Sequence, residues 1–177
     1  ETTTLTHDAG GLLNSRLLPG ESLLLHGTNP SIAMSILKSG FVLGNVGKAY
    51  GVAYGAGIYL AESSSFSDKN ATDDKGGNYP GLYAMLLCRC LIGRPLMVHE
   101  PGEHVTTART RRFDCVIGDQ SHKQGRFREF VFWDDAQVLP EYAVIYQRQY
   151  DEQELLAQNR HRGVAKGNGQ RCCCSLQ

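Results

Sequence analysis

Apolar positions change period along the chain and mark out a short set of elements. Ser22 to Leu25 is a compact apolar run closed by His26, which suits a buried strand. Asn29-Pro30 then starts a helix, with Asn as the cap and Pro at the first helical position. Ile32, Ala33, Ile36 and Leu37 fall on one face of that helix, and Gly40 stops it. From Gly44 to Gly57 no period survives and five glycines intervene, which predicts a mobile loop. Ile58 to Ala61 reads as a strand, Ser63 to Ala71 as a short helix, and Thr72 to Pro80 as turns. Tyr83 to Cys90 is a strand, followed by an irregular stretch to Arg112. Further strands are expected at Phe113 to Ile117, Arg128 to Trp133 and Ala143 to Tyr150, with a weak helix at Asp151 to Ala157. Helices come early, strands late, and there are no internal repeats. The class is α+β rather than alternating βαβ.

Composition narrows this further. A chain of 177 residues supports one ordinary core, burying about 70% of its extended surface. The longest apolar run, Leu82 to Cys88, is far short of the roughly 20 residues of a membrane span. No basic segment followed by an apolar stretch opens the chain, so no signal peptide is expected. It starts on Glu1 rather than Met, so a longer parent protein is expected. Cys88, Cys90 and Cys115 lie in apolar stretches without the even spacing of a disulfide framework. An intracellular location, cytoplasmic or nuclear, is therefore expected, and the sequon Asn70-Ala71-Thr72 reads as chance. The formal net charge is zero, yet 158–177 carries Arg160, Arg162, Lys166 and Arg171 and no acid. The rest of the chain is correspondingly acidic and offers no phosphate-neutralising surface.

Generic nucleotide motifs fail. Gly55-Ala56-Gly57-Ile58-Tyr59-Leu60 has Leu where a dinucleotide fingerprint needs its third Gly. Gly47-Lys48 is followed by Ala49, which cannot hold magnesium as the Ser or Thr of a P-loop does.

Three segments remain: His26-Gly27-Thr28, Gly57-Ile58-Tyr59-Leu60-Ala61-Glu62 continuing to Ser67, and Pro140-Glu141-Tyr142-Ala143-Val144-Ile145-Tyr146. Taken singly they are a strand-end His, a strand Tyr and a turn Glu. In this order, with the helix Ser31 to Ser39, the Gly-rich loop, the strand Arg126-Phe127-Arg128-Glu129-Phe130-Val131 and the turn Asp134-Asp135-Ala136-Gln137, the set resembles the catalytic domain of the poly(ADP-ribose) polymerase family. These are ADP-ribosyltransferases with a His-Tyr-Glu triad. The resemblance runs from about Leu23 to Arg148.

It implies an ADP-ribosyltransferase fold, with split antiparallel or mixed β-sheets and a few flanking helices. Residues 1–150 would form the catalytic domain and 151–177 a polar basic tail. It implies NAD as co-substrate, its carboxamide meeting the backbone of Gly27 and the hydroxyl of Ser67, its nicotinamide stacked on Tyr59, and its adenosine-side ribose on His26 with Thr28 nearby. Glu141 would be the catalytic carboxylate, bonded to the ribose 2′-hydroxyl while positive charge builds on the sugar. The acceptor would be a protein side chain or a nucleic-acid end, and the transfer mono or poly. A catalytically silent NAD- or ADP-ribose-binding module is the alternative.

Two departures matter. Many relatives carry a second Tyr eleven residues after the first, sandwiching the nicotinamide; Asn70 stands there. Tankyrase-like members carry a Cys/His zinc site after this helix, but Asp73 to Pro80 holds neither residue type, so no metal is expected. The Glu-x-Glu pair of arginine-directed toxin-like relatives is also missing, because Leu139 stands two before Glu141.

The chain ends Cys172-Cys173-Cys174-Ser175-Leu176-Gln177, which fits a Cys-a-a-X farnesylation signal on Cys174. Cys172 and Cys173 would serve as palmitoylation sites and the basic tail as a further membrane signal. Membrane association through the tail is the expectation that follows.

Overall fold

The computed structural model describes residues 17–43, 53–120 and 127–149. Among the described residues seven strands and three α-helices form the fold: β1 (Glu21–Thr28), α1 (Pro30–Ser39), β2 (Ile58–Ala61), α2 (Ser64–Asn70), β3 (Tyr83–Leu91), β4 (Pro95–Val98), α3 (Val105–Thr110), β5 (Cys115–Asp119), β6 (Arg128–Phe132) and β7 (Val138–Tyr146). The class is α+β with a mixed sheet, ordered β4-β5-β6-β2-β1-β3-β7. Only β4 and β5 run parallel; every other pair is antiparallel.

The sheet is split in substance, though hydrogen bonds make it continuous. β1 and β3 pair over eight positions, from Glu21↔Leu91 to Thr28↔Ala84, whereas β1 and β2 meet at Leu25↔Ala61 alone. In the ladder, two halves, β4-β5-β6-β2 and β1-β3-β7, are therefore joined by one residue pair among the described residues.

Each face has its own core. On one side Leu24, Ile58, Leu60, Leu86, Cys88, Cys90, Phe130 and Phe132 pack against Ala33 of α1. On the other, Val116 and Val131 pack with Tyr54 and with Val105 and Ala108 of α3. The two starting caps fall where the side chains dictate. Asn29 Oδ1 accepts the Ile32 N–H at 2.8 Å, and Ser63 Oγ accepts that of Phe66 at 3.4 Å. Gly40, at φ 77°, ends α1 in the left-handed region that favours glycine.

Several expectations need correction. The stretch before Arg112 is not irregular, because β4 and α3 lie within it. The first strand extends on both sides of Ser22–Leu25, reaching Thr28. The strand expected from Phe113 starts at Cys115, since Asp114 instead accepts the Arg94 N–H at 2.6 Å and holds the turn. The final strand is not Ala143–Tyr150 but Val138–Tyr146, so Glu141 lies inside it rather than before it. Pro140 is accommodated because β7 is the sheet's edge, where a missing N–H breaks no ladder. The stretch 44–52 of the Gly-rich loop, the helix expected at Asp151 to Ala157 and the tail with Cys172, Cys173 and Cys174 lie outside the described residues.

Candidate functional site

β1 and β2 diverge on one side of the pair Leu25↔Ala61. Extending that antiparallel register by two residues sets Gly27 opposite Tyr59, but no pairing continues there. The gap is crossed by the imidazole of His26, whose Nδ1 lies 2.9 Å from the Tyr59 carbonyl oxygen. A carbonyl only accepts, so Nδ1 carries the proton and, in the neutral ring, Nε2 is left as an acceptor. Burial pushes the His26 pKa down from 6.5, more than the Tyr59 carbonyl raises it, so the neutral ring is the favoured form. Phe41 meets it edge-on, with ring centres 5.2 Å apart.

Alternation along the strands fixes which residues share a face. Leu24 of β1 and Ile58 and Leu60 of β2 enter the α1-side core, so Gly27 and Tyr59 point the other way, where α2 lies. There Gly27 is fixed by sterics: a Cβ on it would fall 1.8 Å from the Ser67 carbonyl oxygen and 3.0 Å from the Ala71 nitrogen. The space that a side chain would take is filled by the backbone of α2. The missing side chain at Gly27 thus lets a helix of the same chain come close. Thr28 is buried, and its carbonyl accepts the Thr72 N–H at 3.3 Å, which extends the seam between β1 and the end of α2.

Ser67 is buried, and its hydroxyl donates to the Leu25 carbonyl at 3.1 Å. To donate to a ligand it must give up that bond. Tyr59 is anchored at both ends. Its hydroxyl donates to Gly55 O at 2.7 Å and accepts from Tyr54 N–H at 2.9 Å, while its ring packs beside Tyr54 and Val131. Burial, helped by the charges of Glu129 and Glu103, raises the Tyr59 hydroxyl to about 12, so it remains a neutral donor. Asn70 closes α2 and is exposed.

Glu141 is reached through an irregularity in β7. The β3–β7 register runs Leu87↔Tyr142 and then Cys88↔Pro140, so Glu141 stands opposite no residue. Such a bulge takes a side chain out of the ladder and re-aims it. The Glu141 carboxylate goes to Arg89, with Oε1 2.6 Å from Nε and Oε2 3.3 Å from Nη2. Arg89 Nη1 reaches Glu21 Oε2 at 3.0 Å. Cys88 and Cys90 enter the α1-side core, so Arg89 between them faces the α2 side, as Gly27 and Tyr59 do. About 10 Å, two strand spacings, separates β1 from β7.

Between α2 and the strands β1, β3 and β7 lies an open cleft of about 410 Å³, lined by Leu25, Ser64, Asp68, Met85, Val144 and Tyr146. Its α2 wall is bound to β7 by Asp68, which accepts from the Tyr146 hydroxyl and, at 3.0 Å, from Arg148 Nε. Arg148 also donates to the carbonyls of Asp68 and Ala71, capping α2, and lies 4.0 Å over the Tyr83 ring. Among the described residues no group of three or more His, Cys, Asp or Glu is placed to hold a metal. Cys88 and Cys115 are buried thiols raised to about 12, which leaves them protonated and poor nucleophiles.

The site residues named from the sequence fall into three places. Gly27, Tyr59, Ser67 and Glu141 belong to the α2 side. His26 enters the gap from the α1 side, and Asn70 sits in solvent. Sequence reasoning missed Arg89 and Arg148. The signal for Arg89 was its isolation, as the one charge in the apolar strand Tyr-Ala-Met-Leu-Leu-Cys-Arg-Cys-Leu. Arg148 was visible only as the last residue of the resemblance. A lone charge inside an apolar strand needs a partner, and among the described residues Arg89 finds Glu21 and Glu141 on other strands.

The description of the poly(ADP-ribose) polymerase catalytic domain matches residues 6–161 of this chain, a span that contains β1 to β7 and every residue placed above. Together with the split α+β sheet, that match shows that the chain belongs to the poly(ADP-ribose) polymerase catalytic-domain family.

Proposed function

We propose that the chain is an NAD-dependent ADP-ribosyltransferase that acts on a protein acceptor. The observation that supports this most is the parting of β1 and β2 at Gly27 and Tyr59, with Ser67 behind it and the Glu141 carboxylate on the same side of the sheet. The residues present suit the nicotinamide end of NAD. The Ser67 hydroxyl is a donor for the carboxamide, and the Tyr59 ring is a face for a pyridinium, an arrangement worth about 0.5–2 kcal/mol. Neutral His26 offers Nε2 to a ribose hydroxyl.

NAD supplies the ADP-ribosyl group, its nicotinamide–ribose bond breaking as the bond to the acceptor oxygen forms. In that exchange Glu141 has two tasks. As an anion fixed near the sugar it opposes the positive charge that grows there, and as an acceptor it takes the proton of the attacking hydroxyl. Arg89 on one edge of the carboxylate leaves the other edge available.

A second reading, a module that binds NAD or ADP-ribose and transfers nothing, is favoured by exposed Asn70, which offers no second ring, and by the engagement of Glu141 with Arg89. Incubating the purified chain with NAD labelled on its adenylate, with and without candidate protein acceptors, separates the two. Covalent label on protein, lost with Glu141→Gln, is the expected result. Saturable NAD binding with no label at any acceptor concentration overturns the transferase reading and leaves the module.

A further inference from the structure

Arg89 is the only charged residue of β3, and its guanidinium bonds to carboxylates on two other strands among the described residues. Nε and Nη2 face one carboxylate, Glu141, along one edge of the fork, while Nη1 faces Glu21 on β1. Arg89, Glu21 and Glu141 keep only 15%, 17% and 20% of their side-chain surface exposed, so water screens this group less than a surface pair. Glu21 is held independently. The Leu18 N–H reaches its Oε2 at 2.8 Å and is the main cause of its lowered pKa, to which Arg89 adds.

The bulge gives this arrangement a purpose. A residue without a cross-strand partner is not aimed by the ladder, so its side chain needs another guide. A guanidinium fork supplies one because it fixes the carboxylate plane as well as its position. An ionised carboxylate has about four acceptor sites, so two bonds to Arg89 leave one on each oxygen. Glu141 can accept a sugar hydroxyl without leaving the fork.

We infer that Arg89 is the positioning residue for Glu141, anchored from behind by Glu21, and that it sets the turnover rate by orienting that carboxylate rather than by touching NAD. This rests on the transferase reading of Glu141. A misplacement of about 1 Å at such a group is worth up to about 10²-fold in rate.

The test is a double-mutant cycle on kcat and KM for NAD, with thermal melts to verify folding. Arg89→Gln is expected to lower kcat about 10- to 100-fold with KM within about threefold. In the Glu141→Gln background the same change is expected to cost no more than about threefold, because Arg89 acts through Glu141 alone. Glu21→Gln, which leaves the fork on Glu141, is expected to lose less than Arg89→Gln. If Arg89→Gln does not fold, Arg89→Lys, which keeps the charge without the fork, carries the same cycle with the same pattern expected. An Arg89 variant with parental kcat, or one that loses as much without Glu141 as with it, overturns the inference while leaving Glu141 catalytic. A parent as slow as its Glu141→Gln variant removes the transferase reading itself, and this inference with it.

Discussion

The two parts of the candidate site are built on different physics. Around Gly27, Tyr59 and Ser67 the structure is held by packing and neutral hydrogen bonds: a backbone filling the Cβ space, a hydroxyl fixed at both ends, a histidine favoured in its uncharged form. Around Glu141 it is held by charge: a guanidinium between two carboxylates, on an edge strand with a bulge. The first side has little room to give and no net charge to lose. The second holds its ions part-buried at one end of the sheet, where an amide of the same shape in place of a carboxylate keeps hydrogen bonds to the guanidinium. Substitutions on the two sides should therefore fail in different ways, the first in stability and the second in turnover.

The largest effect is expected on the charged side. Glu141→Gln preserves size and hydrogen-bonding shape and removes the anion. Transfer should fall by about 10²–10⁴-fold, the usual weight of an acid–base group, while the melting temperature moves by only a few degrees. Initial rates of NAD consumption and a thermal melt measure both. A rate within threefold of the parent would break the division of labour proposed for the two sides.

Gly27→Ala is the opposite case. The new methyl would meet the Ser67 carbonyl, a backbone atom of α2 that no side-chain rotation can move aside. Overpacking costs about 1–3 kcal/mol where side chains can adjust, so about 3 kcal/mol is expected here. For a chain of this size that is a fall of about 6–12 °C in melting temperature. A melt within 2 °C of the parent would mean that α2 slides freely on β1, and the sterically fixed side would lose its basis.

What the sequence disclosed follows the same division. α1 could be read because its determinants are local: Asn29, Pro30, the Ala33 and Ile36 face, and Gly40 all lie within one segment. β4 and α3 were not legible. Pro95–Val98 becomes a strand only by parallel pairing with β5, and Val105–Thr110 is six residues without a side-chain cap. β7 was begun too late because Pro140-Glu141 has the look of a turn, and only an edge position and a bulge make it strand. In the site, His26, Gly27, Tyr59, Ser67 and Glu141 announced themselves through the family resemblance. Their present partners did not, for Arg89 and Glu141 are 52 residues apart and meet through a strand register that no local pattern encodes. Nor did anything local suggest that Ser67 would spend its proton on Leu25.

A pH titration sharpens the contrast on the neutral side. His26 has a folded-state pKa below 6.5 because burial disfavours its cation. As pH falls through 6.5 the unfolded chain takes up a proton that the folded chain refuses, so this contribution to stability is complete above 6.5 and is lost as pH falls to the folded value. The limiting slope for one proton is about 1.4 kcal/mol per pH unit. Urea unfolding at pH 7.5, 6.5 and 5.5 should show the parent losing stability faster than His26→Gln over the lower interval. Parallel curves for the two proteins would mean that the imidazole takes up its proton as readily in the folded chain as in the unfolded one.

The smallest expected effect tests how far the neutral side is complete. Asn70 occupies the position where many relatives have a second Tyr, and it stands exposed at the last residue of α2. If the nicotinamide lies against α2 with one face open, Asn70→Tyr supplies the missing ring. An added aromatic contact is worth about 0.5–1.5 kcal/mol, so a benzamide-type ligand should bind roughly 2- to 12-fold tighter. The substitution is well placed for this, because Asn70 is already in solvent and a larger side chain displaces no core atom. The Ala71 backbone beside it is held against Gly27 and capped by Arg148, so the new ring would project from a fixed point. Calorimetry on parent and variant reads the change directly, and titration of Glu141→Gln beside them tells whether the gain is independent of the charged side. Unchanged affinity would show that α2 ends away from the ligand and that Tyr59 alone supplies the aromatic contact.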